Sequence, residues 1–476
     1  MAIGPRIPPT LLLADSNKEF RQQLSKLLQE EGCLIQEADG KKQAVSILNS
    51  RPFDRMVVAL DLTDEEAPEN IYGGLSLAEQ RENVPIVLIG DQPAWDVVRQ
   101  VIRGHLAEDW VPRSEGPEAV LRSIMPSPVI LHISDLQFGP YQREMIKSPY
   151  PKSADPIDIH IEKIRHDLAE RLNVQPNILV LTGDITEHGL PQQFDVAETF
   201  LKRLARRLDI PTQRIVVTPG NHDICWPDAR AAFSKAVYAR SGRIIEDDEA
   251  DEGLKIAILG QDILFQKFVE YQRFYSRLYE GQRTFEHKLY DIFSLPALNI
   301  LIASLNSCVF ACHLARRGWI GNDQVLGAGD EMDRIDPCHR CIRVGVFHHH
   351  VFPKNKEDFD DRVEDFDEIR PAIEKSDFKI LMHGHQHKSE AYEMRPIGGK
   401  PLHILAAGSL LLLREKTVVG NQYQVLTVRT SPKKSWLYLR RYDPDRPSSS
   451  GKGDGEWVPD TSYQHANDAG IVEFVI

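Results

Sequence analysis

No long uninterrupted apolar run occurs anywhere in the 476-residue sequence, so nothing in it reads as a bilayer-spanning helix, which needs about 20 consecutive apolar residues. The opening, MAIGPRIPPTLLLADS, carries one Arg and a three-Leu run, too short for the apolar core of a secretory signal. Cysteine is scarce, six in all, which fits a reducing compartment and not a disulfide framework. Together these absences set the expectation of a cytoplasmic protein without membrane association. An excess of basic charge is missing too: 57 Lys and Arg against 70 Asp and Glu give a net charge of −13. The whole chain therefore has no electrostatic footprint for nucleic acid or for an anionic surface. The local basic runs LKRLARR (201–207) and SPKKSW (431–436) are exceptions that read as solvated faces.

What is present exceeds one ordinary core, so two or more domains are expected. Residues 10–125 alternate short apolar runs (TLLLADS, CLIQEA, RMVVALDL, VPIVLIGD) with helical patterns (EFRQQLSKLLQEEG, KKQAVSILNS, GLSLAEQR, WDVVRQVIRG, PEAVLRSIM). Such alternation predicts a doubly wound parallel sheet, with MPSP (125–128) as a linker. From 129 a second pattern takes over. It is interrupted by a helical insertion at about 227–293 holding the acidic run EDDEADE (246–252) and apolar residues at three- and four-residue spacing, Leu264, Phe268, Tyr271, Tyr275 and Leu278. That helix either caps a site or packs on the core. Beyond about 415, YQVLTVRT and SWLYLRRYD read as strands, RPSSSGKGDGEW as a polar loop and GIVEFVI as a last strand. The expected domains are 1–125, 126–415 and a β-rich extension, 416–476, packed on the second. Cys308 and Cys312, with Cys338 and Cys341, have the spacing of a zinc site, while small buried free thiols are the favoured reading.

Five apolar runs in the second region each end in groups able to hold a cation. PVILHIS leads to Asp135 and Gln137, NILVLTG to Asp184, RIVVTPG to Asn221 and His222, RVGVF to His348, His349 and His350, and FKILMHG to His385 and His387. Runs this short and rich in Val, Ile and Leu read as strands buried on both faces. Loops at the carboxyl ends of such strands form binding crevices. Convergence of all five would gather carboxylates, amides and imidazoles, the donors of a divalent metal site.

The motifs DLQ, GDIT, GNHD, HHH and GHQH, in this order, resemble those of the calcineurin-like metallophosphoesterase superfamily over residues 129–410. The LNS at 305–307 makes the likeness closer to the class III cyclic-nucleotide phosphodiesterases than to the Ser/Thr protein phosphatases. The resemblance implies an α/β sandwich of stacked mixed sheets and a metal-dependent phosphoesterase in which a hydroxide bridging two divalent ions attacks phosphorus. The substrate class is a small phosphoester or nucleotide. Asp135, Gln137, Asp184 and His387 would hold the first ion, and Asp184, Asn221, His348 and His385 the second. His348 is preferred to its neighbour as the first imidazole after its strand. His222 would protonate the leaving oxygen as a neutral donor, with Asp223 orienting it. Where Gln137 stands the superfamily usually has His, and a carboxamide oxygen tilts the first site from zinc or iron towards manganese or magnesium. Gln137 either ligates, or leaves that site weakly filled, or marks a relic that binds without turnover; a signalling scaffold and a nuclease are the competing functions.

Residues 10–125 in turn resemble the receiver domain of bacterial response regulators. A working receiver needs an acidic pair after the first strand, an aspartate after the third, Thr or Ser after the fourth and Lys after the fifth. This sequence offers Asp15 followed by Ser16, Asp61 about two residues late, Gly90, and Arg113. The resemblance implies a degenerate receiver in bacterial signalling, a docking or self-association module that regulates or localises the second domain, with Asp61 as a weak candidate phosphoacceptor.

Overall fold

Strands form where the apolar runs stand. In the computed structural model the described residues are 10–30, 33–62, 74, 77, 84, 86–91, 109–124, 127–139, 156–242, 265–285, 289–295, 298–312, 316–337, 339, 341–352, 361–395, 401–411, 420–429, 434–446 and 455–475. The chain divides into two compact units: 1–127 with 295–300 and 335–341, and 128–294, 301–334 and 342–476. Outside the described residues lie the EDDEADE run, Leu264, Cys338, most of GLSLAEQR, all of WDVVRQVIRG, the first two residues of MPSP and most of the RPSSSGKGDGEW loop.

In the first unit β1 (Thr10–Ala14), β2 (Leu34–Ala38), β3 (Arg55–Ala59), β4 (Ile86–Gly90) and β5 (Asp109–Pro112) make one sheet in the order β2-β1-β3-β4-β5, every neighbour parallel. β1 and β4 are buried along their whole length, as expected of strands covered on both faces. Helices α1 (Lys18–Glu30), α2 (Lys41–Ser50) and α3 (Pro117–Ile124) flank the sheet. α1 turns Phe20, Leu24 and Leu28 inward at four-residue spacing. This strand order is a common doubly wound arrangement whose crevice opens where the winding reverses, at the carboxyl ends of β1 and β3.

The second unit is an α/β sandwich built on two mixed sheets. One runs β17 (Glu456–Pro459), β16 (Lys434–Asp443), β15 (Gln422–Arg429), β6 (Val129–Ile133), β7 (Ile178–Thr182), β8 (Ile215–Thr218), with β18 (Ile471–Phe474) also paired to β16. The other runs β13 (Glu390–Met394), β14 (Leu402–Ala406), β12 (Ile380–His383), β11 (Ile342–Val346), β10 (Ile300–Leu305), β9 (Tyr290–Leu295). The strands that precede the candidate ligands are parallel neighbours, β6 with β7 with β8 and β11 with β12. The C-terminal strands continue the first of these sheets: β15 lies antiparallel to β6, pairing Gln424 with His132.

Among the described residues, helices α4 (Pro156–His166), α5 (Pro191–Arg207), α6 (Trp226–Ser241), α7 (Val269–Leu278), α8 (Asn322–Ile335) and α9 (Phe366–Lys375) accompany these sheets. α5 starts with Pro191 at its first turn and buries Phe194, Ala197, Phe200, Leu201, Leu204 and Ala205 on one stripe. Within its LKRLARR run, Lys202 pairs with Glu198, Arg203 with Asp158 and Arg207 with Glu162. The insertion helix α7 buries Tyr271, Phe274, Tyr275 and Leu278, and Phe274 stacks on Phe194 of α5 at 5.2 Å. Of the two sequence readings, packing on the core describes this helix. Among the described residues no helix is long and apolar enough to cross a membrane.

Candidate metal centre

Strand register places the first ligands. β6 and β7 pair Ile133 with Leu181, and the loops beyond them keep running side by side. Asp135 N–H donates to Gly183 O at 3.2 Å, Gln137 N–H to Asp184 O at 2.8 Å and Phe138 N–H to Ile185 O at 3.0 Å. Asp135 and Gln137 are thereby held against Asp184. In the other sheet Phe347 N–H donates to Met382 O, and Gly384 N–H to His348 O, which brings the His348 and His385 loops together.

These loops are strained where the candidate ligands sit. Asp135, Gln137, Asp184, His385 and His387 have φ of 52°, 45°, 50°, 73° and 53°, the left-handed region that L-residues avoid. Each such residue costs about 1–3 kcal/mol and persists only where its surroundings over-determine it, commonly at functional sites. Glycine permits the close approach: a Cβ on Gly183 would lie 2.7 Å from His348 Nδ1 and 2.8 Å from Gly220 N. One on Gly220 would overlap Asp184 N and Oδ1.

Two donor groups result, Asp184 with His348 and His385, and Asp135 and Asp184 with His387, the ligand atoms of each lying within 4.8 Å of one another. Asp184 belongs to both, which makes this a dinuclear metal site. His348 Nε2 lies 3.3 Å from Asp184 Oδ1, 3.1 Å from Asn221 Oδ1 and 3.0 Å from His385 Nδ1. Its Nδ1–H donates to Thr182 O at 2.7 Å, so the tautomer leaves Nε2 facing the cluster. His387 Nε2 is 3.1 Å from Asp135 Oδ1, a buried oxygen with no hydrogen bond among the described residues. A carboxylate oxygen left this way inside a ring of imidazoles suits a cation, and the residues present fit two divalent ions. Gln137 is buried and its Nε2 donates to Asp184 Oδ2 at 3.3 Å.

Electrostatics follow from burial. Desolvation alone would raise Asp184, but His348, His222 and His385 hold its carboxyl well below the usual range. Burial opposes charge on His348, yet the Asp184 carboxylate lifts it to about 9. Burial and the neighbouring His349 and His348 push His385 down. The adjacent histidine is bonded differently: His349 places Nδ1 2.9 Å from Ser307 Oγ and Nε2 2.9 Å from Arg316 O.

Two expectations about His222 need correction. Asp223 does not orient the His222 ring. Its carboxylate accepts from Ile185 N–H, Thr186 N–H, Thr186 Oγ1 and Gly220 N–H, so it fastens the GDIT loop to the GNHD loop. Burial and the charge of Asp184 push it up to about 7, against its three backbone N–H bonds. His222 instead donates Nδ1–H to the carbonyl of Glu187 at 2.9 Å, while its backbone N–H donates to Asp184 Oδ1 at 2.9 Å. With Nδ1–H spent on Glu187, a neutral ring has no proton on Nε2, and His222 can donate from Nε2 only as the imidazolium.

Sequence reasoning missed the roles of Ser307, Thr182 O and Glu187 O. A backbone carbonyl leaves no signature in a sequence, and Ser307 stood inside LNS without an assigned role. Ser307 Oγ accepts from the backbone N–H of both His348 and His349. Among the described residues, Cys308, Cys312 and Cys341 are buried and outside any disulfide and belong to no metal cluster, so the zinc reading finds no support in them. Beside them, Lys267 Nζ donates to the carbonyls of Cys308, Val309 and Ala311.

Among solved structures, a dimetal phosphatase from Danio rerio is similar at 12% identity over 66% of this chain and 96% of its own, with a TM-score of 0.37. A CheY-like receiver domain from Methanospirillum hungatei JF-1 is similar at 14% identity over 24% of this chain and 90% of its own, TM-score 0.22. The signal receiver domain of an HD domain-containing protein from Pseudomonas fluorescens Pf-5 shares 20% identity over 26% and 87%, TM-score 0.22. No curated protein matches the chain. The family model for calcineurin-like phosphoesterases matches residues 128–389, more than half the sequence and the whole of the dinuclear site, and the chain belongs to that family.

Proposed function

We propose that the protein is a manganese-dependent phosphodiesterase acting on a small phosphodiester or nucleotide, with the first unit regulating or localising it. The observation that carries this reading is the sharing of Asp184 by two donor groups beside a histidine anchored through one ring nitrogen. Asp135, Gln137, Asp184 and His387 serve the first ion, and Asp184, Asn221, His348 and His385 the second. When bound, two divalent ions supply Lewis acidity, lower the pKa of a water and clamp a phosphate for in-line displacement.

The chain's own residues do the rest. Thr182 O fixes the His348 tautomer, and Asp223 locks the loop that carries Asn221 and His222. His222, its Nδ1–H held by Glu187 O, would as the imidazolium pass the Nε2 proton to the departing oxygen as charge develops there. The amide of Gln137 is a neutral, hard donor, which favours manganese over zinc. The LNS resemblance supports a diester over a monoester substrate.

The test is metal-depleted full-length protein assayed with bis-p-nitrophenyl phosphate and p-nitrophenyl phosphate after adding back manganese, magnesium, zinc or iron, alongside Gln137→His. Manganese-dependent diester cleavage is expected, lost in Asp184→Ala combined with His222→Ala. Persistence of that cleavage in the double variant would refute the assignment. Turnover only in Gln137→His would favour the scaffold reading, which the bond from Gln137 to Asp184 also accommodates.

A further inference from the structure

Three carboxylates of the first unit converge on one guanidinium. Asp15 follows β1, Asp61 follows β3, Asp91 follows β4 and Arg113 follows β5, so four loops at the carboxyl ends of one parallel sheet meet at its crevice. Arg113 Nε and Nη2 pair with the two oxygens of Asp15 at 3.1 and 2.7 Å. Nη2 and Nη1 pair with the two oxygens of Asp61 at 2.7 and 2.9 Å. Nη1 also reaches Asp91 at 2.9 Å. A guanidinium has five N–H donors, and these five bonds match all of them.

The cluster is an unusual place for so much charge. Asp15 is fully buried and Arg113 nearly so, whereas Asp61 and Asp91 are half-exposed. Carboxylates crowded in this way repel one another and need a counter-charge, which a hard divalent ion with oxygen ligands ordinarily provides. Here a permanently charged side chain provides it. The bidentate pairs turn both oxygens of Asp15 and of Asp61 onto the guanidinium, and an incoming ion would have to break them. Burial pushes Asp15 up, and its hydrogen bonds to Arg113 work against that.

We propose that Arg113 is the resident cation of this pocket, so that the wild-type chain takes up no divalent ion there, and that removing the guanidinium opens a divalent-cation site made by Asp15, Asp61 and Asp91. Arg113 is then more than a replacement for the lysine of a receiver: it occupies the cation's own place. The consequence is a unit whose acidic pocket is held in one state irrespective of magnesium or manganese concentration. This inference concerns the first unit and stands independently of the proposed phosphodiesterase activity.

The experiment counts manganese bound per full-length chain by equilibrium dialysis, and follows thermal unfolding with and without magnesium. Arg113→Ala is expected to bind one more ion than the wild type, whatever number the wild type binds, and to lose it again when Asp61→Asn is added. Its unfolding temperature should rise with magnesium more than that of the wild type. Arg113→Gln keeps the bulk and two donors without the charge, and it should show the same extra ion if the alanine variant does not fold. Equal ion counts in the wild type and a folded Arg113 variant would overturn the proposal. So would loss of an ion from the otherwise wild-type chain on Asp91→Asn, because that would place a divalent ion in the pocket beside Arg113.

Discussion

His348 Nε2 stands 3.3 Å from Asp184 Oδ1, an imidazole and a carboxylate contributed by different sheets and both withdrawn from solvent. In metal-depleted protein this pair holds a proton that a metal must displace, because His348 is lifted to about 9. Metal uptake at neutral pH should therefore release about one proton at this ligand, and affinity should rise roughly tenfold per pH unit up to about pH 9. Calorimetric titration of manganese in buffers of different ionisation enthalpy measures both. For stability the sign is opposite: a folded-state value raised above 6.5 stabilises the metal-depleted fold fully below pH 6.5. That contribution disappears as pH rises through about 9.

Ser307→Ala should weaken the second ion's binding by about 10- to 100-fold, the usual range for a group that orients a ligand. The hydroxyl is shared by two backbone N–H groups and the ring of His349, and its loss leaves buried polar groups unpaired. Manganese titration of the variant, compared with its circular dichroism, separates lost binding from lost folding. Unchanged affinity would remove Ser307 from any positioning role.

Gly220→Ala should be worse than any single ligand substitution that preserves backbone geometry. The added methyl would collide with the backbone nitrogen and carboxylate of Asp184, displacing the residue that belongs to both donor groups. Loss of both bound ions, read by elemental analysis after dialysis, is the expected result.

Arg440→Met tests how the C-terminal strands hold on. Arg440 Nε donates to Asp167 Oδ2 at 2.7 Å and its Nη2 to the other oxygen, with Tyr423 Oη donating to the same carboxylate. All three side chains are buried. Removing Arg440 leaves the buried carboxylate with Arg171, 3.9 Å away, as its remaining cation, so the cost in urea unfolding should fall below the roughly 3–5 kcal/mol of a fully unpaired buried charge. Adding Asp167→Asn should recover part of that loss, since the poorly compensated charge goes with it.

Much of this site was legible in the sequence because its elements are local. Runs such as ILVLT and IVVT carry no charged side chain to show water and become buried strands wherever the chain places them, and the candidate ligands stand immediately after such strands. The alternation before residue 125 similarly dictates a parallel doubly wound sheet. What the sequence could not contain is partner choice across space. The different bonding of His348 and His349 rests on Thr182 O and Ser307, and the anchoring of His222 rests on Glu187 O and not on the adjacent Asp223. The locking of Asp15, Asp61 and Asp91 onto Arg113 likewise joins loops far apart in the chain. Hydrogen-bond geometry is decided by sheet register and by which loops the glycines allow to touch. The one-dimensional pattern placed the candidate ligands and the strands that carry them; the tertiary structure decided which of their atoms come together, which brace them, and which cation fills the other pocket.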